Sequence, residues 1–197
     1  MGTESSIITE PLMFLLDTAI EVYLSIIILR FLLQYFRADF HNQLSQFCVK
    51  ATNVFLRPMR RVIPGWRGID FSSLILAMVI QMLGTFLLVL LDSGGQIIDP
   101  IVLPLSALFS VINQIVVVML YAIFVRVIIS WVAQSGSYYT SSLTVVYALT
   151  DPILLPFRRF AVFGAMDFSP FIAGIALIVI RMVLQKAHWV YLGFNLI

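Results

Sequence analysis

The chain has 197 residues, of which 61% are hydrophobic and only 11% are charged, and its mean hydropathy is +1.02. A soluble domain usually carries about 25% charged residues, so this chain has too few ions to cover its apolar surface in water. The composition therefore excludes a water-soluble globular protein, a disordered segment and a nucleic-acid-binding module. It predicts an integral membrane protein.

Four apolar stretches are long enough to cross a hydrocarbon core of about 30 Å, which needs about 20 helical residues. All four are predicted to be helices, because lipid offers no hydrogen-bond partner to an exposed backbone. In chain order they cover residues 12–36, 72–91, 105–132 and 170–189. Residues 97–110 leave two possibilities open, a re-entrant segment or an interfacial entry into one long, tilted third helix, and we favour the second.

Basic residues concentrate in two of the three predicted loops. Loop 37–70 contains six Lys or Arg residues and loop 133–167 contains two, whereas loop 92–104 contains none. By the positive-inside rule, the two arginine-bearing loops face the cytoplasm and both termini lie on the other side. Lys186, near the C-terminus, opposes this orientation weakly.

One pattern occurs twice along the chain. Residues 53–64 read NVFLRPMRRVIP and are followed by IDFSS, and residues 151–160 read DPILLPFRRF and are followed by MDFSP. Pro58 and Pro156 lie 98 positions apart. We therefore predict an all-α membrane protein of four transmembrane helices, built as two same-orientation helix–interfacial segment–helix repeats. The predicted units are a polar N-terminus (1–10), repeat 1 (11–92), a linker (93–104) and repeat 2 (105–197).

The repeated pattern also predicts local structure. Asn53 and Asp151 suit the N-cap of an interfacial helix, because their side chains accept hydrogen bonds from the first turn. Pro58 and Pro156 follow soon afterwards, which predicts that each interfacial helix is short or kinked.

Two adjacent arginine pairs follow these prolines. They are Arg60, Arg61, Arg158 and Arg159. Guanidinium groups bind phosphate in a bidentate manner, so these residues are candidates for contact with anionic phospholipid. Three interpretations stay open: a topology signal alone, internal pairing with Asp70 and Asp167 (which could instead cap the following spans), or a site for lipid or a membrane-protein partner.

Several ionisable residues fall inside the predicted spans, and four of them are candidates for a role, namely Glu21, Arg30, Arg126 and Arg181. Glu21 lies near the middle of the first span, where an unpaired carboxylate is expensive, and Arg181 in the fourth span is its expected partner by depth and sign. This pair could hold the first and fourth spans together or form a proton- or ion-linked site. Arg30 and Arg126, 96 positions apart, are expected to extend towards the interface.

At the doubled arginine and Asp-Phe-Ser motifs the sequence resembles the YggT family of small integral membrane proteins. The resemblance covers nearly the whole chain, including RFLLQ at 30–34, PMRRVIP at 58–64 and MDFSP at 166–170. It is closest to the two-repeat form of Gram-negative bacteria, which implies the inner membrane, and the termini that the loop charges place opposite the cytoplasm are then predicted to be periplasmic. The resemblance also implies a link to osmotic and envelope stress or, through relatives called YlmG, to cell division. It brings no enzymatic activity and no catalytic residues.

Two functional hypotheses remain. The preferred one is a non-enzymatic scaffold or assembly factor that acts through its cytoplasmic arginines on anionic lipid or a membrane-protein partner. The alternative is a small ion or osmolyte transporter or channel that uses Glu21 and Arg181. The sequence predicts no cofactor, metal site or nucleic-acid partner, since it lacks the corresponding motifs, and it leaves open whether the chain forms a homo-oligomer.

Overall fold

The described part of the chain is almost entirely helical. The structure is a computed structural model that describes residues 3–63, 65, 68–91, 100–133, 141–163 and 166–192. Its elements are α1 (Thr3–Tyr35), α2 (Gln43–Val62), α3 (Phe71–Leu91), α4 (Val102–Ala133), α5 (Ser141–Ala161), β1 (Val162–Phe163), β2 (Met166–Asp167) and α6 (Ser169–Leu192). The two short strands pair antiparallel and connect α5 to α6.

Four of the helices contain stretches long and apolar enough to cross a membrane, which confirms the predicted all-α, four-span fold. These stretches are Ile8–Tyr35, Phe71–Leu91, Val102–Trp131 and Ser169–His188. The third contains 30 residues, about 45 Å of helix, which is longer than a core of about 30 Å and compatible with the predicted tilt. Residues 102–110 belong to α4, as the long-helix alternative predicted, and residues 97–99 lie outside the described residues.

The predicted interfacial helices are longer than the prolines suggested. α2 has 20 residues with Pro58 inside it, and α5 has 21 residues with Pro156 inside it. Both helices begin well upstream of the repeated pattern, so these prolines fall near their C-terminal ends, where little helix remains to be disrupted. The short alternative is therefore wrong, and the kinked alternative stays a prediction.

The predicted N-caps are also corrected by these helix starts. Asn53 and Asp151 lie inside α2 and α5 rather than at their beginnings. Asn42 caps α2 instead, and its side-chain oxygen accepts a hydrogen bond from the Leu44 backbone N–H at 2.7 Å. Asp151 is consequently free to pair with arginines from neighbouring elements.

Packing places α2 and α5 at the same end of the bundle. α1 packs on α3, α4 packs on α6, and α3 and α4 contact each other. The core along these contacts is apolar and includes Leu24, Ile27, Leu76 and Val111. α2 lies against α1 and α3, α5 lies against α4 and α6, and α2 also contacts α5. The same-orientation repeat stays a prediction that this arrangement is compatible with.

Candidate functional site

The C-terminal ends of α2 and α5 each present an exposed arginine beside an exposed apolar side chain. Arg61 and Arg159 are exposed, next to Val62 (81% exposed) and Phe160 (60% exposed). We call Arg61–Val62 and Arg159–Phe160 the basic helix ends. Within the described part of the chain neither arginine makes an ion pair. Both guanidinium groups are therefore available for an external anion.

Arg60, in contrast, is held by the connection between α2 and α3. Its Nη2 donates to the carboxylate of Asp70, which is 2% exposed, and to Gln34 Oε1 at 3.2 Å. Ser73 Oγ donates to the same carboxylate oxygen at 2.6 Å. Burial raises the pKa of Asp70, but the hydrogen bonds from Arg60 and Ser73 and the nearby positive charges outweigh it and hold the pKa below its ordinary value. Asp70 is thus a carboxylate at neutral pH.

A chain of ion pairs runs through the corresponding region of α5. Asp151 Oδ1 accepts from Arg126 Nη1 at 2.8 Å and lies 3.2 Å from Arg158 Nη2. Arg158 Nε lies 3.4 Å from Asp167 Oδ2. Partial burial raises the pKa of Asp167, but hydrogen bonds from Ser169 and the charge of Arg158 bring it below the ordinary value. Arg158 therefore joins two carboxylates and resembles Arg60 rather than Arg159.

The intramembrane arginines Arg30 and Arg126 are buried against the interfacial helices. Their exposed fractions are 3% and 7%, because α2 and α5 cover them. Arg30 Nη1 donates to the Thr52 hydroxyl and to the Val49 carbonyl at 3.3 Å. Arg126 Nη1 donates to Thr150 Oγ1 at 2.6 Å, and its guanidinium lies 4.4 Å from the centroid of the Tyr147 ring. Each arginine thus fastens a spanning helix to an interfacial helix.

Sequence reasoning missed these threonines, although a signal for them exists. Thr52 and Thr150 lie 98 positions apart, the same offset as Pro58 and Pro156. Each threonine directly precedes the residue that was expected to be an N-cap. Extending the comparison of the two repeated segments by one residue upstream would have identified these threonines as candidate partners of Arg30 and Arg126.

Glu21 and Arg181 line one cavity but do not form the predicted pair. Among the described ion pairs, none joins these two side chains, and Glu21 is exposed rather than buried. The reason lies in the packing, since α4 contacts both α1 and α6, while α1 and α6 make no extended contact with each other. The cavity has a volume of about 260 Å³ and is also lined by Ser25, Gln81, Asn113 and Gln114.

Comparisons with known proteins match the resemblance seen in the motifs. The CCB3/YggT family model matches residues 9–91 and again residues 105–188. An uncharacterized protein of Pseudomonas aeruginosa is 39% identical over 173 residues, which cover 86% of this chain and 85% of that protein. The uncharacterized protein YggT of Escherichia coli K12 is 36% identical over 172 residues, covering 87% of each chain. No solved structure matches the chain. The family model and these relatives extend over most of the sequence, and the chain therefore belongs to the CCB3/YggT family.

Proposed function

We propose that the chain is a non-enzymatic scaffold or assembly factor of the bacterial inner membrane that acts on anionic phospholipid through the basic helix ends. The observation that carries this proposal is that the two arginines of each pair differ, since one is held in ion pairs and the other is exposed. Arg60 and Arg158 are occupied by aspartates, whereas Arg61 and Arg159 are exposed and unpaired within the described residues. An exposed guanidinium beside an exposed apolar side chain suits the boundary between headgroups and acyl chains.

The orientation and the cellular setting belong to the same proposal. Both basic helix ends face the cytoplasm and both termini face the periplasm, in keeping with the loop charges. The two stretches matched by the family model, and the arginine–threonine contact present in each of them, support two same-orientation repeats. We place the scaffold in the response to osmotic or envelope stress or in cell division, as the family resemblance implies.

The lipid contact can be tested on purified protein. The double variant Arg61→Gln/Arg159→Gln should bind anionic lipid about 30-fold more weakly than wild type at low salt, because each basic side chain near an anionic surface contributes about 1 kcal/mol. Native mass spectrometry with phosphatidylglycerol would measure this ratio. Lys186→Gln, an exposed charge at the far end of α6, is the control and should bind as wild type does. Equal binding by the double variant would contradict the proposal.

The same double variant tests the cellular role. In a strain that lacks the protein, it should fail to restore survival of osmotic or envelope stress although it accumulates and melts as wild type does. Full restoration would count against the scaffold. Lost restoration with unchanged lipid binding would instead assign the basic helix ends to a membrane-protein partner.

A second candidate function is favoured by the cavity between the spans. It is a small ion or osmolyte transporter or channel that uses Glu21 and Arg181. The supporting observation is that both side chains line one polar cavity without pairing, since an unpaired intramembrane charge is rarely kept without use. Solute uptake into proteoliposomes that is lost in Glu21→Gln would support this candidate.

A further inference from the structure

The cavity between α1, α3, α4 and α6 is lined mostly by polar side chains. Every residue that lines it belongs to one of the four candidate spans. Ten of its thirteen lining residues carry polar side chains, although the surrounding helices have the apolar composition of membrane spans. Polar side chains inside a bundle are expensive to keep dehydrated, so their concentration at one place indicates water or a polar ligand there.

Some polar atoms of the cavity wall are hydrogen-bonded to each other, and others have no described partner. Gln114 Nε2 donates to Ser25 Oγ at 2.7 Å, and Ser25 Oγ donates to the Glu21 carbonyl at 2.8 Å. Asn113 Oδ1 and Arg181 Nε, in contrast, are buried and have no hydrogen-bond partner within the described residues. A buried acceptor and a buried charged donor left unmet each cost free energy that a bound ligand would recover.

The charges of the lining side chains define the kind of ligand. Glu21 on α1 and Arg181 on α6 have opposite sign and line the same space, yet no ion pair within 4.0 Å joins them. We propose that the cavity binds a small zwitterion, whose carboxylate pairs with Arg181 and whose cationic amine pairs with Glu21. A ligand with both charges leaves no net charge in the membrane, whereas a simple anion or cation would satisfy only one side chain.

The volume restricts the ligand further. About 260 Å³ is below the range of about 300–1,000 Å³ that holds drug-sized molecules, so only a small solute fits. Free amino acids and their N-methylated derivatives have both the size and the charges. A phosphatidylethanolamine headgroup carries similar charges, so the experiment must separate a free solute from a lipid.

Equilibrium binding to the full-length chain in phosphatidylglycerol nanodiscs tests this inference. The probes are labelled glycine, proline and trimethylglycine, and the controls are acetate and choline, which each carry one of the two charges. We expect saturable binding of at least one zwitterion, with acetate and choline about tenfold weaker or more as competitors. Glu21→Gln and Arg181→Gln should each weaken binding by a similar factor, and the exposed Lys186→Gln should not.

Two outcomes would overturn the inference. They are no saturable binding of any zwitterion up to about 10 mM, or competition by choline or acetate equal to that of the zwitterions. Neither outcome needs a variant, so the test stands even if Glu21→Gln does not fold. Loss of probe binding on adding phosphatidylethanolamine would keep the site and assign it to the headgroup.

This inference deepens the second candidate function, but the two can fail separately. Binding without uptake of the same probes into proteoliposomes would keep the zwitterion site and reject transport. Potassium flux without zwitterion binding would reject the zwitterion site and keep transport.

Discussion

Arg60→Gln is expected to lower the free energy of unfolding by about 3 kcal/mol, near the lower end of the range for breaking a buried ion pair. The reason is that the variant leaves the Asp70 carboxylate, 2% exposed, without its guanidinium, while Ser73 continues to donate to it. Arg61→Gln, one residue away, is the matched control and should change stability by less than about 0.5 kcal/mol. Reversible unfolding of the purified chain in mixed micelles would measure both.

The unfolding free energies of wild type and of Arg60→Gln should depend on pH with opposite sign. In wild type the pKa of Asp70 lies below its ordinary value despite burial. Its stabilisation is therefore complete above the unfolded pKa of about 4 and is lost as the pH falls through the lower folded pKa. Without Arg60, burial should dominate and raise the folded pKa, so acid should then relieve the destabilisation.

Adding Asp70→Asn to Arg60→Gln removes the stranded charge and should recover more than half of the lost stability. It should also abolish the acid-dependent change. If the double variant were as unstable as Arg60→Gln at neutral pH, the assignment of the loss to an uncompensated carboxylate would be wrong.

Asp151→Asn is expected to lower stability by about 2 kcal/mol, because its Oδ1 accepts a charged hydrogen bond from Arg126 and also lies near Arg158. Arg126 is 7% exposed and would keep two neutral partners among the described residues, Thr150 and the Tyr147 ring. Arg30, at the matching position, has the Thr52 hydroxyl and the Val49 carbonyl as its described hydrogen-bond partners.

Asn53 supplies the matched control for this second prediction. It follows Thr52 as Asp151 follows Thr150, and no described hydrogen bond involves its side chain. Asn53→Ala should therefore change the unfolding free energy by less than about 0.5 kcal/mol in the same assay. A loss from Asn53→Ala as large as that from Asp151→Asn would show that the effect comes from the helix position and not from the ion pairs.

The sequence predicted the spans well because a span depends on a local property, the length of an apolar run. The Arg60–Asp70 contact was among the three interpretations of the arginine pairs because it is also local, since the two residues flank one short connection. The start of α2 was not predicted because its buried face consists largely of small or polar side chains. Ser45, Cys48, Thr52 and Leu56 recur at helical spacing, but a search for apolar periodicity passes over two of them, Ser45 and Thr52.

Contacts between distant helices were harder to predict. Depth and charge correctly placed Glu21 and Arg181 on the same region of the bundle, yet whether they touch depends on the position of α4 between α1 and α6. The burial of Arg30 depends on α2 folding back over it, which no run of residues within α1 indicates. The separation of Glu21 from Arg181 and the burial of Arg30 both come from tertiary packing, and both belong to the candidate sites.

The proposed scaffold requires that the basic helix ends share one aqueous compartment, the cytoplasm. Single variants Arg61→Cys and Arg159→Cys allow this to be measured with a membrane-impermeant maleimide. The native Cys48 is 1% exposed, and burial raises the pKa of its thiol to about 11, so it should contribute little labelling at neutral pH because the thiolate is the reactive form.

We expect both introduced cysteines to react in inverted inner-membrane vesicles and neither to react in intact spheroplasts. A cysteine placed at Glu10, on the predicted periplasmic side, should show the opposite pattern and serves as the control. Labelling of positions 61 and 159 from opposite sides of the membrane would contradict a shared cytoplasmic location of the basic helix ends.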